Sequence, residues 1–386
     1  VSRFHIAEDV LPGHPDRLAD AVAEAVVDHA VAIDPDALVG VEVAVHRNAV
    51  FVTGRIAAGE ERDAQSLFSN SLVHEAYWDA GYRGRWGLVR RHYAGRDGRS
   101  IEAPDALELA VHTDLDLGPL SADEREIRRF SDDQNHVVGH AEGSAATNYL
   151  PPAHFVARRM RQAVDRLREK HVGVLGPDGK VWIRLIDDGT RIAWGRCNVS
   201  VQHVPGIGYE ELHELVLPAI EQEIESLSDV LPGIEESWCP ERLRLNGAGD
   251  FSCGGPFGDN GLSGKKLVVD HYGPSVPIGG GALCGKDPHK VDRVGALRAR
   301  QLAVRLVRDA GASAATVRLG WLPGIEAPSF VDALVDGEAW DEARIAKAIA
   351  IPDLSIAATF RDLELADVKW REVLRRGYFG SDSEWG

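Results

Sequence analysis

No stretch of the 386-residue chain carries eighteen consecutive apolar residues, the length a membrane-crossing helix needs, and its first residues lack the order of a secretory signal. Cysteine is scarce. The four present, Cys197, Cys239, Cys253 and Cys284, include no CxxC spacing, so neither a zinc framework nor a disulfide scaffold is expected and a reducing cytoplasm is the expected location. Positive charge is in deficit too: Lys and Arg number 43 against 60 Asp and Glu, a formal net charge of −17. Neither nucleic acid nor an anionic membrane is therefore an expected partner. No Ser-His-Asp nucleophile or paired-carboxylate acid and base is legible. The remainder, 44% hydrophobic and 27% charged, suits a soluble globular protein long enough for two or three domains.

Against this acidic background the richest local signal runs from Gly254 to Arg293. It reads GGPFGDNGLSGKK up to Lys266 and GGGALCGKDPHKVDR from Gly279 onward. Glycines let backbone N–H groups turn toward an anion and allow close approach. Lys265, Lys266, Lys286 and Lys290 bring point charges, while Asp259, Asp287 and Asp292 bring the hard oxygen ligands that magnesium prefers. Together they are the inventory of a magnesium–polyphosphate site. A Walker loop is the rival reading, since Gly280 to Lys286 fits G-x-x-x-x-G-K. It fails on context: Asp287 stands where a magnesium-binding Ser or Thr belongs, and Gly273, Pro274 and Pro277 precede it instead of a buried strand.

A second informative stretch, EDVLPGHPDRLAD, spans Glu8 to Asp20. Pro15 suits the first turn of a helix continuing through Leu18, Val22, Ala25, Val26 and Val31, one apolar face at helical spacing. A helix N-terminus presents free N–H groups and partial positive charge, so His14 and Asp16 lie where a phosphate and its metal would dock. As bare sequence, Asp16 reads equally as a first-turn carboxylate and His14 as a surface residue.

These stretches resemble the signatures of the S-adenosylmethionine synthetase (methionine adenosyltransferase) family: GHPDK near the start, then GGPxGDxGLTGRK and GGGAFSGKDPxKVDRS. The likeness extends over most of the chain and weakens from about Trp86 to Arg129 and after Asp332. It implies that His14 meets the polyphosphate, that Asp16 and Asp292 hold magnesium, two ions in all, and that Glu42 holds potassium. It further implies ATP contacts from Asp133, Asp178, Lys180, Asp250 and Phe251, whose ring would stack on adenine, and from Asp259, Lys265, Lys266, Ala282 and Lys286. Asp259 and Lys290 would also touch the amino-acid substrate. Four departures stand out. Arg17 and Lys265 exchange the family's lysine and arginine. Gly54-Arg55-Ile56 replaces a GEI whose glutamate meets the methionine ammonium, so the ammonium there loses a carboxylate and meets a like charge. No QSPDI-like loop motif is present; the nearest string is His112 to Leu117. Ser131-Asp132-Asp133-Gln134-Asn135 matches the family's GDQG only in Asp133 and Gln134.

Alternation predicts a hairpin of Leu38 to Val45 and Ala49 to Ile56, with Val41, Val43 and Val45 on one face, and a second hairpin of Lys180 to Ile186 and Arg191 to Val201. Long helices are expected at Ala153 to Lys170, Glu210 to Ser226 and Val291 to Asp309, and shorter ones near Asp341 to Ile349 and Asp353 to Phe360. Strands are expected at Lys266 to Asp270 and Ala315 to Leu322. Hairpin strands with amphipathic helices in each third point to an α+β fold and not to βαβ units. The resemblance implies three similar domains of mixed or antiparallel sheets covered by helices, related by pseudo-threefold symmetry. Residues 1–125, 126–245 and 246–386 are the expected units, interleaved in sequence, with sites between two subunits of a homodimer or dimer of dimers.

The implied reaction is attack of the methionine sulfur on the 5′-carbon of ATP, with tripolyphosphate leaving and then being hydrolysed. A thioether needs no deprotonation, so catalysis would consist of positioning and of stabilising the leaving oxygen by His14, Lys180, Lys265, Lys286, Lys290 and magnesium. Two alternatives stay open: a relative with the same polyphosphate chemistry but another nucleophile, favoured by Arg55 and the absent glutamine, and a non-catalytic nucleotide-binding partner. The retained His14, Asp16, Lys180, Asp259, Lys286, Lys290 and Asp292 weigh against the last.

Overall fold

The computed structural model describes residues 3–86, 93–94, 100–101, 109–380 and 385. Three four-stranded mixed or antiparallel sheets, each backed by helices, carry the fold. The first orders β1 (Arg3–Val10), β8 (Leu175–Asp187), β9 (Ile192–His203) and β10 (Leu243–Leu245), with β10 parallel to β9 and the other pairs antiparallel. The second orders β11 (Gly261–Leu262), β2 (Leu38–His46), β3 (Ala49–Ala57) and β6 (Ala110–Gly118), the last parallel to β3. The third is antiparallel throughout and orders β14 (Glu338–Asp341), β13 (Phe330–Val335), β12 (Ala314–Trp321) and β7 (Asn135–Glu142). A small ribbon pairs β4 (Tyr93–Ala94) with β5 (Ser100–Ile101). Each large sheet thus takes a strand from a distant part of the chain: β1 joins the middle segment, and β11 joins the first hairpin.

The helices are α1 (Pro15–Ile33), α2 (Asn70–Asp79), α3 (Ala122–Ile127), α4 (Pro152–Lys170), α5 (Tyr209–Leu227), α6 (Leu267–Asp270), α7 (Val291–Arg308), α8 (Glu342–Ala348), α9 (Ile356–Asp362) and α10 (Trp370–Arg376). Both expected hairpins and the long helices form within a few residues of the periodic pattern. Alternation on β2 buries Val39, Val41, Val43 and Val45 and turns Glu42 outward, as the period of two dictates. The expected strand at Lys266 to Asp270 is instead the single turn α6. Leu267, Val268 and Val269 have strand-forming side chains, but four residues set no period, and the chain there turns back onto α1 through Arg17 and Asp270. Most of the arginine-rich insert from Arg83 to Ser100 lies outside the described residues.

α1 is the helix the others collect around. Its apolar residues Leu18, Val22, Val26 and Ala30 are fully buried, and it lies against β2, α2, α10 and β11. It also buries charge. Glu24 is 0% exposed and accepts from Arg293 Nη2 at 2.8 Å and from the Tyr378 hydroxyl, while Arg293 also donates to the Leu283 carbonyl and lies 4.0 Å from the Trp370 ring centre. This one ion pair joins α1, α7, the second glycine stretch and the C-terminal segment. Removing one member of a buried pair strands the other charge. Arg293→Met is therefore expected to destabilise the chain by about 3–5 kcal/mol; a urea midpoint indistinguishable from wild type would contradict this.

Candidate active site

Of the residues marked in the sequence, the N-terminus of α1 gathers His14, Asp16, Lys265 and Lys266. Pro15 starts the helix, and His14 caps it, its Nδ1 accepting the Asp16 N–H at 3.2 Å. That acceptor role puts the proton of the neutral ring on Nε2, leaving a donor on the far side of the imidazole. Burial, then the charges of Lys180 and Lys266, push the His14 pKa down to about 3, so the ring is neutral at ordinary pH. Asp16 is 3% exposed. It accepts the Leu262 N–H at 3.1 Å and has Lys266 Nζ at 2.8 Å and Lys265 Nζ at 3.6 Å. Burial works to raise the Asp16 pKa, but the Lys266 ammonium and the Leu262 amide outweigh it, and the carboxyl stays below its ordinary value.

The first glycine stretch is pressed against this helix end. A Cβ on Gly261 would sit 2.1 Å from the Pro15 carbonyl oxygen, so only glycine brings the strand close enough for Leu262 to reach Asp16. Ser263 then joins β2, its N–H donating to the Val43 carbonyl at 2.9 Å and its hydroxyl to Glu42 Oε2 at 2.9 Å. Asp178, just before Lys180, accepts the Gly255 N–H at 2.7 Å, and burial pushes its pKa up to about 6. Phe251 exchanges backbone and ring hydrogen bonds with His203 at 3.1 Å and leans toward Gly254. The Asp250 carboxylate beside it is exposed and takes the Ser252 hydroxyl at 3.0 Å.

The second glycine stretch ends at the N-terminus of α7, where Lys286 Nζ lies 2.9 Å from Asp292 Oδ1. A Cβ on Gly281 would overlap that carboxylate oxygen at 1.7 Å. Lys290 is the residue preceding α7, and its ammonium pairs with Asp132, the neighbour of the expected Asp133. Asp133 itself accepts the Gln134 amide at 2.7 Å, and Asp259 accepts the Asn260 amide at 2.8 Å. Ala282 is the residue that Gly264 approaches, with 2.8 Å between its methyl carbon and a Cβ built on the glycine. What fastens the two stretches together is a residue the motifs did not mark: Asp20 is 0% exposed and accepts both the Gly264 N–H at 2.8 Å and the Cys284 thiol at 3.1 Å. Its place four residues after Asp16 was the available signal.

Two readings change. Asp287, offered as a magnesium ligand, is 0% exposed and holds backbone instead: it accepts from Val39 N at 2.8 Å, from His289 N at 2.9 Å and from the Arg128 guanidinium. Fully buried and engaged by two backbone amides and a guanidinium, it faces away from any site open to a solvated metal. Arg55 does not present a bare positive charge. Its guanidinium donates to Asp116 Oδ2 at 2.5 Å and to Glu124, so two carboxylates surround the one cation. Arg17, for its part, turns inward to Asp270 at 2.6 Å and Asp20 at 3.2 Å.

Magnesium fits the donors of the site in one specific way. Among the described residues no three His, Cys, Asp or Glu side chains converge as a cage. Asp16 and Asp292 each stand as a single carboxylate among lysines, the donor set of an ion that keeps its waters and binds mainly through substrate phosphates. The His14 environment makes a prediction of its own. A histidine in the unfolded chain titrates near 6.5 and this one near 3, so between those values the folded state binds fewer protons. Its contribution to stability is present above pH 6.5 and is lost as pH falls toward 3. His14→Asn is expected to remove it, so the stability difference between wild type and variant should be flat above pH 6.5 and shift in the variant's favour below. A difference independent of pH would contradict that assignment.

Comparison with known proteins agrees with the geometry. Residues 2–89 match the model of the S-adenosylmethionine synthetase N-terminal domain, and residues 253–386 that of the C-terminal domain. The S-adenosylmethionine synthase of Hyphomonas neptunium is 32% identical, over 97% of this chain and 91% of its own. S-adenosylmethionine synthase 2 of Rhodospirillum rubrum is 31% identical, over 98% and 92%. A solved structure of an unusual S-adenosylmethionine synthetase from Campylobacter jejuni superposes with a TM-score of 0.82 at 25% identity, covering 99% of this chain and 96% of that one. Sequence and fold together show that the chain belongs to the S-adenosylmethionine synthetase family of adenosyltransferases.

Proposed function

We propose that the protein is a methionine adenosyltransferase: the methionine sulfur attacks the 5′-carbon of ATP, the C5′–O bond breaks, and S-adenosylmethionine and tripolyphosphate form. Water then cleaves the tripolyphosphate to pyrophosphate and phosphate. The observation that carries this reading is the convergence of His14, Asp16, Lys265 and Lys266 on one helix end, with Lys286 and Asp292 on the neighbouring one. Two helix N-termini and a ring of lysines suit a long anionic leaving group, and neutral His14 has an Nε2 proton for its developing charge. Asp16 and Asp292 would hold magnesium, which neutralises phosphate charge when bound; Glu42, beside Ser263, would hold potassium. Asp178 and Lys180 with Phe251 would take the nucleotide.

Arg55 bears on the nucleophile. With Asp116 and Glu124 around it, the net charge of the cluster is negative, which supports an ammonium-bearing substrate such as methionine in spite of the reversal. Large apolar side chains exposed on all three sheets, Phe4 (60%), Phe51 (46%) and Phe330 (48%), favour a homodimer packed sheet to sheet. Cytoplasmic location fits four free cysteines. Among the described residues no helix is long and apolar enough to cross a membrane.

The test is methionine-dependent release of phosphate and pyrophosphate from ATP. Activity is expected to need magnesium, and Asp16→Asn and Asp292→Asn are each expected to lower kcat/KM by about a hundredfold or more, the equivalent of about 2.7 kcal/mol or more of lost electrostatic stabilisation. Full turnover in excess chelator, or phosphate release indifferent to methionine, would overturn the reading.

A further inference from the structure

Behind the catalytic end of α1 lies a separate cavity of about 450 Å³, built from the end of β1 and from α1, α2, α4, α6 and α10. In a chain where acids outnumber bases, its lining reverses the balance: six arginines against four carboxylates. Four of those arginines are spoken for. Arg17 pairs with Asp270 at 2.6 Å, Arg161 with Asp9 at 3.2 Å, Arg371 with Asp79 at 3.2 Å and Arg375 with Glu169 at 2.5 Å. Arg158 and Arg376 have no carboxylate within ion-pair distance among the described residues.

Arg158 is the telling member. It is only 6% exposed, on the floor of the cavity, and its donors go to neutral acceptors, the Phe379 carbonyl and His154 Nε2 at 3.1 Å. His154 is itself held neutral, its pKa far below the ordinary value through burial and then the Arg158 charge. A buried guanidinium with only neutral partners is costly, since buried charges are normally paired. Burial, together with Arg161 and Arg17 nearby, brings the Arg158 pKa down to about 10 although Asp9 opposes the shift. The missing element is an anion. Arg376 is on the exposed face of α10 at the same cavity, so an anion can enter past a guanidinium that has no carboxylate partner among the described residues and reach Arg158. Guanidiniums arriving from two separate elements, α4 and α10, can each hold a different oxygen edge of a tetrahedral anion.

We propose that this cavity is a second anion site, distinct from the polyphosphate site, that takes a phosphate-class oxyanion between Arg158 and Arg376. The proposal goes beyond the adenosyltransferase reading and needs no turnover for its test. Arg17 and Asp270 in its wall directly follow the segments bearing Asp16 and Lys266, so an occupant would press on the back of the catalytic loops.

Titration calorimetry on the full chain in chelator, with orthophosphate, pyrophosphate and malonate as separate probes, tests it. Wild type is expected to show two classes of phosphate site, and Arg376→Glu is expected to weaken one class by at least about tenfold while leaving the other unchanged. Arg158→Lys, which keeps the charge but loses the fork, is expected to weaken the same class. If Arg158→Lys fails to fold, Arg376→Glu decides alone. The orthophosphate and pyrophosphate arms tell which of the two anions occupies the site. Identical isotherms for wild type and Arg376→Glu would overturn the proposal, as would malonate binding there as tightly as phosphate.

Discussion

Four carboxylates at intervals of four residues, Asp16, Asp20, Glu24 and Asp28, run down α1, and each one fastens a different part of the molecule. A step of four residues rotates by only about 40° around a helix, so the row stays on one side. Asp16 holds the first glycine stretch through Leu262 and two lysines; Asp20 holds both stretches through Gly264 and Cys284. Glu24 holds α7 and the C-terminal segment through Arg293 and Tyr378, and Asp28 caps α10 by accepting the Trp370 and Arg371 amides at 2.7 and 3.1 Å. Carboxylates taken out of water cost free energy unless donors replace the water. Burial shows its effect in the pKa values: Asp20 is pushed up to about 7, and Glu24 and Asp28 also rise. Asp16 alone is lowered, because the Lys266 ammonium and the Leu262 amide outweigh its burial.

The same row explains how an acidic protein builds a cationic pocket. The lysines of the glycine stretches are delivered to the helix ends by backbone donors that the buried acids require. Once Leu262 and Gly264 satisfy Asp16 and Asp20, Lys265 and Lys266 have little freedom to be elsewhere. Local positive charge is thus enforced by negative charge beneath it.

Much of this was legible in the sequence where a period or a long motif carried it. α1, α7 and the two hairpins follow from spacing, and the two glycine stretches from their composition. The single turn α6 was not, because four residues fit either period. Asp287 and Asp292 look alike on paper, five residues apart in one motif. Only the fold shows that Arg128, from 159 residues away, and β2 consume the first and leave the second at the helix end. The partners of Arg55 were equally hidden: Asp116 reaches it only because β6 pairs in parallel with β3, with Arg55 opposite Asp116 in register. The row on α1 was readable at its four-residue spacing, yet acids at that spacing ordinarily mark a solvated face, and burial decided otherwise.

The central claim is that the α1 carboxylates hold the glycine stretches as a preformed polyphosphate cradle, and equilibrium binding of magnesium tripolyphosphate tests it most directly. Asp20 and Asp28 are both α1 carboxylates that hold backbone amides, but only Asp20 touches the cradle. The account predicts that Asp20→Asn weakens binding by roughly tenfold or more, about 1.4 kcal/mol, while Asp28→Asn leaves affinity unchanged even as it lowers stability. Wild-type affinity in Asp20→Asn, or an equal loss in Asp28→Asn, would contradict it.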